Sequence, residues 1–186
     1  MSRLVFLLEE PSARDLLEGL LPKLLPTTIY VHYLVFEGKQ DLEAQMVRKL
    51  RGWRAPDSAF VVLRDQDAGD CRKVKKGLAE RVAQSGRELS VVRVACRELE
   101  SWIVGDWRAI AKAFGRPELA AQRLKEAHRT PDLLVRPVET IRKFIPEYQK
   151  RDGARRVGPL LDPDRNQSES FRAFCAGVTK LAKEAP

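Results

Sequence analysis

The sequence predicts an α/β fold in which a mostly parallel sheet is flanked by helices and followed by a mostly helical C-terminal extension. Two observations predict the sheet: four short apolar or β-branched runs occur before residue 97, and segments with helical periodicity separate them. A third observation predicts the extension, because prolines divide the following stretch into short helices and turns. These prolines are Pro117, Pro131, Pro137 and Pro146.

The first strand is predicted at Leu4–Leu8, a continuous apolar run typical of a strand buried on both faces. The helix that follows begins near Ser12, which together with Asp15 resembles a capping box with Asp in place of Glu. Pro22 lies within the helical pattern and is expected to kink or end the helix. The apolar face of this helix consists of leucines at spacing four: Leu16, Leu20 and Leu24, and Leu17, Leu21 and Leu25.

The remaining elements of the predicted sheet continue the alternation. They are a strand at Ile29–Phe36, a helix at Gln40–Trp53, a strand at Phe60–Leu63, a helix marked by Val74, Leu78 and Val82, and a strand at Leu89–Ala95. Because strands and helices alternate throughout, we expect parallel pairing with helices on the faces of the sheet.

The C-terminal part of the chain has a different pattern. Glu98–Phe114 is predicted to form a helix, and a closing helix is marked by Phe171, Phe174, Val178 and Leu181. No linker separates this part, so we divide the chain into a core at residues 1–105 and a basic helical extension at residues 106–186 that packs on the core. Trp53, Trp102 and Trp107 are expected to pack in the interior rather than to stack on bases.

Composition excludes several classes of protein. No apolar run approaches the roughly 18 residues that span a bilayer, and Leu4–Leu8 is too short for a signal peptide. The three cysteines form no C-x-x-C motif, which favours reduced thiols and a cytoplasmic location. With two histidines in the sequence, a zinc site built from His and Cys is not expected.

The charge of the chain is unevenly distributed. The net charge is +8, but residues 1–70 hold 9 basic and 11 acidic side chains, whereas residues 71–186 hold 25 and 15. A strongly basic region is typical of proteins that bind a polyanion such as nucleic acid, although ordinary solvated surface is the alternative.

Acidic residues follow three of the predicted strands. They are Glu9 and Glu10 after the first strand, Asp65 and Asp67 after the third, and Glu98 and Glu100 after the fourth. Because ligands bind beyond the carboxyl ends of parallel strands, we expect these side chains to share one rim. Asp65 and Asp67 are expected to point the same way, as residues two apart do in extended chain. Adjacent carboxylates repel unless a cation lies between them, and Mg²⁺ or Mn²⁺ suits such oxygen ligands.

Each acidic residue also has a structural interpretation. Asp-x-Asp is common in loops, and Glu9 or Glu10 could favour the N-terminus of the next helix. Glu98 and Glu100 could pair with nearby Arg93 or Arg97. Asp70 is a more natural N-cap for the helix that follows it than a metal ligand. The combination, rather than any one residue, therefore predicts a metal site.

Two stretches resemble the Toprim domain, the metal-binding fold of topoisomerases, bacterial primases and overcoming-lysogenization-type nucleases. Residues 7–12 (LLEEPS) resemble its apolar strand ending in a single glutamate, and residues 60–67 (FVVLRDQD) resemble its strand ending in Asp-x-Asp. The resemblance covers about residues 1–105 and implies a Rossmann-like core. The related nucleases usually have Glu-Gly where this chain has Glu9 and Glu10. Glu9 matches the motif glutamate, but Glu10 takes its role if the backbone turns one residue later.

Over its whole length the chain is similar to a family of small, stand-alone bacterial proteins of unknown function with a Toprim-like core. The similarity lies in residues 36–43, 64–67, 97–102 and 148–150, with Gly153 and Ala154. Families of this kind often lie beside ATPases in anti-phage systems, which implies an ATPase partner and a role in antiviral defence.

The resemblance implies a nuclease that depends on Mg²⁺ or Mn²⁺ and cleaves nucleic acid, with DNA as the expected substrate. In such nucleases the carboxylates hold one or two ions, which polarise the scissile phosphate and lower the pKa of an attacking water. Asp65 and Asp67 would be the main ligands. Glu9 would be a ligand or a general base, and Glu98 would complete a second metal position. Glu100 is a secondary candidate, as are Glu10 and Asp70.

Lys150 is expected to contact the phosphate, because it lies in a basic cluster directly after Tyr148 and Gln149. The cluster also contains Arg151, Arg155 and Arg156. Together these cations would bind the nucleic-acid backbone in a salt-dependent manner, although a flexible solvated loop is the alternative. Lys39 after Gly38 is a weaker candidate, since Gly-Lys alone is not a P-loop.

Three other functions share individual features with this sequence. The main alternative is a Toprim-like binding or regulatory subunit that acts only with an ATPase partner. A phosphohydrolase of the haloacid-dehalogenase type also has Asp-x-Asp after a strand, but after its first strand, whereas Asp65 follows the third. A topoisomerase would need a further domain to present Tyr148 as a nucleophile, and 186 residues leave little room for one.

Overall fold

The protein is described over residues 2–185 by a computed structural model, which confirms the α/β class. The strands are β1 (Arg3–Leu8), β2 (Tyr30–Val35), β3 (Ser58–Asp65) and β4 (Ser90–Ala95). Over the described residues they form one sheet in the order β2-β1-β3-β4, and every neighbouring pair is parallel. Each predicted strand is therefore found, with its ends displaced by two residues or fewer.

Helices connect the strands and make up most of the regular structure in the C-terminal part. The connecting helices are α1 (Pro11–Leu20), α2 (Lys39–Gly52) and α3 (Cys71–Ser85). The later helices are α4 (Glu100–Val104), α5 (Trp107–Ala113), α6 (Pro137–Arg142), α7 (Lys150–Val157) and α8 (Glu169–Glu184). Pro22 has the predicted effect, because α1 stops at Leu20 and a 3-10 turn at Leu21–Lys23 contains the proline.

The two faces of the sheet are covered by different helices. In β1, Leu8 belongs to a core cluster with α1 and the C-terminal helices, whereas Leu7 belongs to a second cluster with α2 and α3. In β3, Leu63 and Val62 divide between the two clusters in the same way. Successive side chains of a strand point to opposite faces, so this alternation also decides where the residues just beyond each strand lie.

The C-terminal part shares a core with the sheet, as expected for an extension packed on it. Trp102, Trp107, Phe171 and Phe174 are fully buried in the same cluster as Leu8. Helix α8 packs along β4, and α7 packs against α1. The division expected at residue 105 falls between α4 and α5, but one continuous core extends across it.

The predicted helix Glu98–Phe114 is wrong as a single element, because the chain breaks it at residues 105 and 106. A Cβ at Gly105 would lie 2.9 Å from Asn166 Cγ, so the glycine allows the chain to pass close to the segment before α8. Asp106 then caps α5, since its carboxylate accepts a hydrogen bond from the backbone N–H of Ala109 at 3.1 Å.

The predicted capping box at the start of α1 is also wrong. Pro11 is the first residue of the helix and Glu10 is its N-cap, so Ser12 lies inside the first turn. The Ser12 hydroxyl donates to the Glu10 carboxylate. Asp15 instead accepts a hydrogen bond from Arg151 Nε at 2.6 Å, which ties α1 to α7.

Two further features concern the membrane-spanning and disulfide-bonded classes of protein that the composition argues against. In the part of the chain that the structure describes, no helix is long and apolar enough to cross a membrane. All three cysteines are free thiols, and the sulfur atoms of Cys71 and Cys96 lie 3.6 Å apart.

Candidate functional site

The carboxyl ends of β1, β3 and β4 bring four carboxylates around the ammonium group of Lys150. The Nζ atom lies 3.9 Å from Glu10 Oε1, 3.3 Å from Glu98 Oε2 and 3.5 Å from Glu100 Oε2. Asp65, the last residue of β3, is the fourth carboxylate, and it interacts electrostatically with the same group. We call Glu10, Asp65, Glu98 and Glu100 the acidic cluster.

Strand alternation explains why these residues meet. Leu8 and Leu63 point to the face covered by α1 and the C-terminal helices. Glu10 lies two residues beyond Leu8, and Asp65 lies two residues beyond Leu63, so both side chains emerge on that same face. Glu98 lies between β4 and α4, and Glu100 is the first residue of α4. The C-terminal part supplies Lys150 at the start of α7, so both halves of the chain contribute to the site.

Glu100 is the most deeply buried charge of the acidic cluster. Its side chain has no exposed surface, and within residues 2–185 neither of its carboxylate oxygens has a hydrogen-bond partner. Burial raises the pKa of Glu100 from 4.5 to about 7, although Lys150 opposes the shift. A buried carboxylate whose oxygens lack donors is costly, and a cation relieves that cost.

The environment of the acidic cluster raises the pKa of both Asp65 and Lys150, through different balances of burial and charge. Burial raises the pKa of Asp65 well above its ordinary value, and the neighbouring charges of Glu100 and Glu10 raise it further. Burial disfavours the charged form of Lys150, but Glu100, Glu10 and Glu98 outweigh burial and raise its pKa. The lysine is therefore a fixed positive charge among carboxylates.

Packing around Tyr148 holds Lys150 in place. The Tyr148 side chain is buried, and its hydroxyl has no hydrogen-bond partner in the described part of the chain. Gly153 of α7 lies against the ring, and a Cβ there would come within 2.5 Å of the ring atom Cζ. Glu100 lies close enough to Tyr148 to raise the pKa of its phenol, after the larger effect of burial. The absence of a side chain at Gly153 thus lets α7 place Lys150 beside the acidic cluster.

Glu9 lies on the other face of the sheet, toward α2 and α3. Its Oε2 atom accepts a hydrogen bond from the backbone N–H of Asp65 at 3.1 Å and lies 3.7 Å from Arg64 Nε. Burial raises the pKa of Glu9, while the hydrogen bond from Asp65 opposes that change. Glu9 therefore bridges the ends of β1 and β3.

The expectation that Asp65 and Asp67 point the same way is wrong. The strand ends at Asp65, and Asp67 has the left-handed backbone angle φ of 57°, so the alternation of extended chain does not continue. Asp67 Oδ2 accepts a hydrogen bond from Lys39 Nζ at 2.8 Å and lies 3.8 Å from Arg64 Nη2. Asp67 is thus paired with cations on the α2 side of the rim.

Asp70 has the expected structural role. Its carboxylate accepts a hydrogen bond from the backbone N–H of Lys73 at 2.8 Å and caps α3.

The cations predicted to bind nucleic acid all have acidic partners. Lys39 pairs with Asp67, and Lys150 lies in the acidic cluster. Three further pairs join Arg151 and Asp15 at 2.6 Å, Arg155 and Asp15 at 3.8 Å, and Arg156 and Asp152 at 3.5 Å. Arg151, Arg155 and Arg156 therefore link α7 to α1 or stabilise α7 itself, which lowers the net charge that they present to a polyanion.

One known protein family matches almost the whole sequence. A sequence profile described as a domain of unknown function, DUF4276, matches residues 8–179. The chain belongs to the DUF4276 family. The matched region extends from the last residue of β1 into α8, so the whole acidic cluster and Lys150 belong to the DUF4276 domain. No curated protein and no solved structure matches the chain significantly.

The side chains of this DUF4276 domain fit a divalent cation better on one face of the rim than on the other. Glu9 and Asp67 are held by Arg64 and Lys39, so they do not form a free ligand pair. The acidic cluster offers only carboxylate oxygens, which Mg²⁺ prefers, and Glu100 has two oxygens without donors. Over residues 2–185, no three or more His, Cys, Asp and Glu side chains are already gathered at metal-binding geometry. Binding would therefore need rearrangement around Lys150.

Two secondary candidates belong to the acidic cluster of this DUF4276 domain. Glu10 and Glu100 lie around Lys150 with Asp65 and Glu98, whereas Glu9 and Asp67 lie on the other side of the rim. Strand alternation offers a signal for Glu10, because it lies two residues beyond Leu8, whereas Glu9 lies two residues beyond Leu7 on the opposite face. Nothing in the local sequence around Tyr148 and Gly153 indicated their packing role.

Proposed function

We propose that the protein is a Mg²⁺-dependent phosphodiester hydrolase that cleaves nucleic acid, with DNA as its substrate. The observation that carries the proposal is the fully buried carboxylate of Glu100, which lies beside the buried Asp65 and has Lys150 Nζ 3.5 Å from its Oε2 atom. Two buried acids at the carboxyl ends of parallel strands favour a cation between them.

Residues of the acidic cluster would hold the cation. Asp65 and Glu100 would be its inner ligands, and Glu10 and Glu98 would complete the set from the adjoining loops. When bound, Mg²⁺ or Mn²⁺ polarises a phosphate and lowers the pKa of a water molecule. Lys150 stays protonated and is 37% exposed, so it can turn from the carboxylates to a phosphate oxygen.

Glu9 takes a positioning role in this proposal. Its carboxylate holds the backbone N–H of Asp65 at 3.1 Å, which fixes the end of β3. Asp67, which pairs with Lys39, lies outside the set of inner ligands. The Glu9 and Asp67 ligands expected from the Toprim resemblance are thereby replaced by Glu10 and Glu100.

A cleavage assay with labelled single- and double-stranded DNA tests the proposal. Cleavage should require Mg²⁺ or Mn²⁺ and be lost in Asp65→Asn and Glu100→Gln. Asp67→Asn is the matched control, because it removes the same charge two residues away and should retain most of the activity. Cleavage that persists in EDTA, or that is lost in Asp67→Asn but not in Asp65→Asn, would contradict this assignment.

One observation favours a second candidate, a DUF4276 subunit that acts only in complex with an ATPase and serves antiviral defence. Lys150 lies within 4 Å of three carboxylates and so occupies the centre of the cluster. A partner that draws α7 away would open the site. This candidate predicts no cleavage by the isolated chain and cleavage when a stoichiometric ATPase partner from the native host is added.

A further inference from the structure

A basic cleft lies beside the acidic cluster, at the carboxyl end of β4. It encloses about 980 Å³ between α3, α8 and the loops that follow β3 and β4. Its cations are Arg72, Lys75, Arg93 and Arg97, and we call this cavity the basic cleft. None of these four residues belongs to the cations predicted from the sequence to bind nucleic acid.

The cations of the basic cleft differ from the predicted ones in having no acidic partner. Across the described residues, none of the four forms an ion pair within 4.0 Å. Arg93 is half-buried, and its guanidinium donates only to the carbonyl oxygens of Ala173 and Val92, each at 2.9 Å. Burial lowers the pKa of Arg93 and no carboxylate opposes this, so an anion in the cleft would stabilise its charge.

Two of the three acidic residues that line the cleft accept hydrogen bonds at the start of a helix. Asp70 caps α3, as described above. Asp132 accepts hydrogen bonds from the Ser168 hydroxyl at 2.6 Å and from the backbone N–H of Ser170 at 2.7 Å, at the start of α8. Glu169 is exposed at the edge. These carboxylates are therefore bonded to backbone and hydroxyl donors, or point to solvent, and leave the four cations unpaired.

The same two loops build the basic cleft and the acidic cluster. Gln66 and Arg97 line the cleft and directly adjoin Asp65 and Glu98 in the chain. The backbone N–H of Arg97 donates to Gln66 Oε1 at 3.1 Å, which links the loop after β3 to the loop after β4. A ligand in the cleft thus extends toward the acidic cluster.

We propose that the basic cleft binds the phosphate backbone of a DNA strand, with the neighbouring phosphodiester at the acidic cluster. This inference rests on the proposed function, because it names where the substrate is gripped. Phosphate contacts of this kind fix the position of a strand and make binding depend on salt concentration. The four unpaired cations are free to contact phosphates, whereas Arg151 and Arg156 of α7 are engaged by Asp15 and Asp152.

Equilibrium binding tests the proposal without any cleavage. The anisotropy of a fluorescent single-stranded DNA oligonucleotide is measured in EDTA and reducing agent over a series of salt concentrations. The double variant Arg72→Ala/Lys75→Ala removes two exposed cations of the cleft. The matched control Lys73→Ala/Lys76→Ala removes two exposed cations from the same helix that do not line the cleft.

We expect the cleft variant to bind DNA at least about 10-fold more weakly at 0.1 M salt, with the slope of log K against log salt reduced by about 1.4, because each lost contact to a single strand changes it by about 0.7. The control should change affinity less than about 3-fold. Equal weakening of both variants would overturn the proposal, since it would show only a general charge effect. Arg93→Met should weaken binding further. If the cleft bound inorganic phosphate but not the oligonucleotide, DNA would also be excluded as its ligand.

The outcomes separate this inference from the proposed function. Glu100→Gln should abolish cleavage yet bind DNA in EDTA at least as tightly as the unaltered protein, because it removes a negative charge. Weakened binding by the cleft variant, with no cleavage by any form, would support the cleft and contradict the hydrolase. Cleavage by the unaltered protein together with unchanged affinity of the cleft variant would contradict the cleft and support the hydrolase.

Discussion

Replacing Glu100 by glutamine should stabilise the protein at alkaline pH in the absence of divalent cations. Glu100 is fully buried, and its oxygens have no hydrogen-bond donor among the described residues. The folded state raises its pKa from 4.5 to about 7, so the folded protein binds more protons than the unfolded chain between these values. The stability associated with protonated Glu100 is present below pH 4.5 and is lost as the pH rises through about 7.

The magnitude follows from the two pKa values. At pH 8, ionising Glu100 in its buried site costs about 3 kcal/mol relative to the unfolded chain, because each pKa unit corresponds to about 1.4 kcal/mol. At pH 5 the cost falls below about 1 kcal/mol, since most of the folded protein is then protonated at Glu100. Glutamine imitates the protonated acid in size and charge, so the variant should avoid this cost at both pH values.

Urea unfolding at pH 5 and pH 8 in EDTA measures the effect. The free energy of unfolding of Glu100→Gln should exceed that of the unaltered protein by up to about 3 kcal/mol at pH 8 and by much less at pH 5. Glu80→Gln is the control, because its side chain is 60% exposed on α3 and should change stability by less than about 0.5 kcal/mol. Adding Mg²⁺ at pH 8 should stabilise the unaltered protein more than Glu100→Gln. A difference between the two proteins that does not vary with pH would refute the buried-charge reasoning.

Two further predictions concern the position of α7. Gly153→Ala should lower the free energy of unfolding by about 1–3 kcal/mol, because the new Cβ would overlap the Tyr148 ring. Gly52→Ala is the control, because a Cβ there meets no atom within 4 Å and should change stability little. Equal losses of stability for the two variants in urea unfolding would contradict this reasoning. Asp15→Asn and Arg151→Ala should each lower the midpoint of urea unfolding, and Asp15→Asn should lower it more, because Asp15 is paired with both Arg151 and Arg155. The double variant should be little less stable than Asp15→Asn alone, and fully additive losses would show that Asp15 and Arg151 do not interact.

The strands were predictable because their signals are local. Leu4–Leu8 and Phe60–Leu63 are uninterrupted apolar runs, and β1 and β3 are indeed the two central strands of the sheet. The break between α4 and α5 was not predictable from periodicity. It depends on the close approach of Gly105 to Asn166, two residues that are 61 positions apart. Helix boundaries of this kind are set by tertiary contacts, which a local pattern does not contain.

The candidate site was partly predictable because the ends of the strands could be located from the local sequence. The rule that ligands bind beyond the carboxyl ends of strands predicted that carboxylates meet at one rim, and Asp65, Glu98 and Glu100 do lie together there. It did not distinguish the two faces of that rim, so Glu9 and Asp67 were ranked above Glu10 and Glu100. The φ angle of 57° at Asp67 is not encoded in a simple alternation rule, because non-glycine residues rarely adopt it.

The cations around Lys150 were predicted to bind nucleic acid, but in the structure they are paired with carboxylates, and this difference also has a physical cause. Charge counts sum over sequence neighbours, but the cations of α7 are neutralised by residues far away in the chain, as Arg151 is by Asp15. Arg93 and Arg97 lie near Glu98 in sequence and were considered its partners, yet Lys150 pairs with Glu98 instead. The arginines of α7 are therefore paired, whereas the four cations of the basic cleft have no acidic partner within 4.0 Å among the described residues.

This arrangement explains how a DNA strand could approach an acidic site. Four carboxylates repel phosphate, and the single charge of Lys150 does not balance them. In the proposed function, the basic cleft would attract the strand a short distance along the same loops, and a divalent cation would remove the repulsion at the cluster itself. Salt should therefore act mainly on binding at the cleft, and Mg²⁺ mainly on cleavage at the cluster. If raising salt left DNA affinity unchanged while Mg²⁺ alone controlled it, the two surfaces would not divide the work in this way.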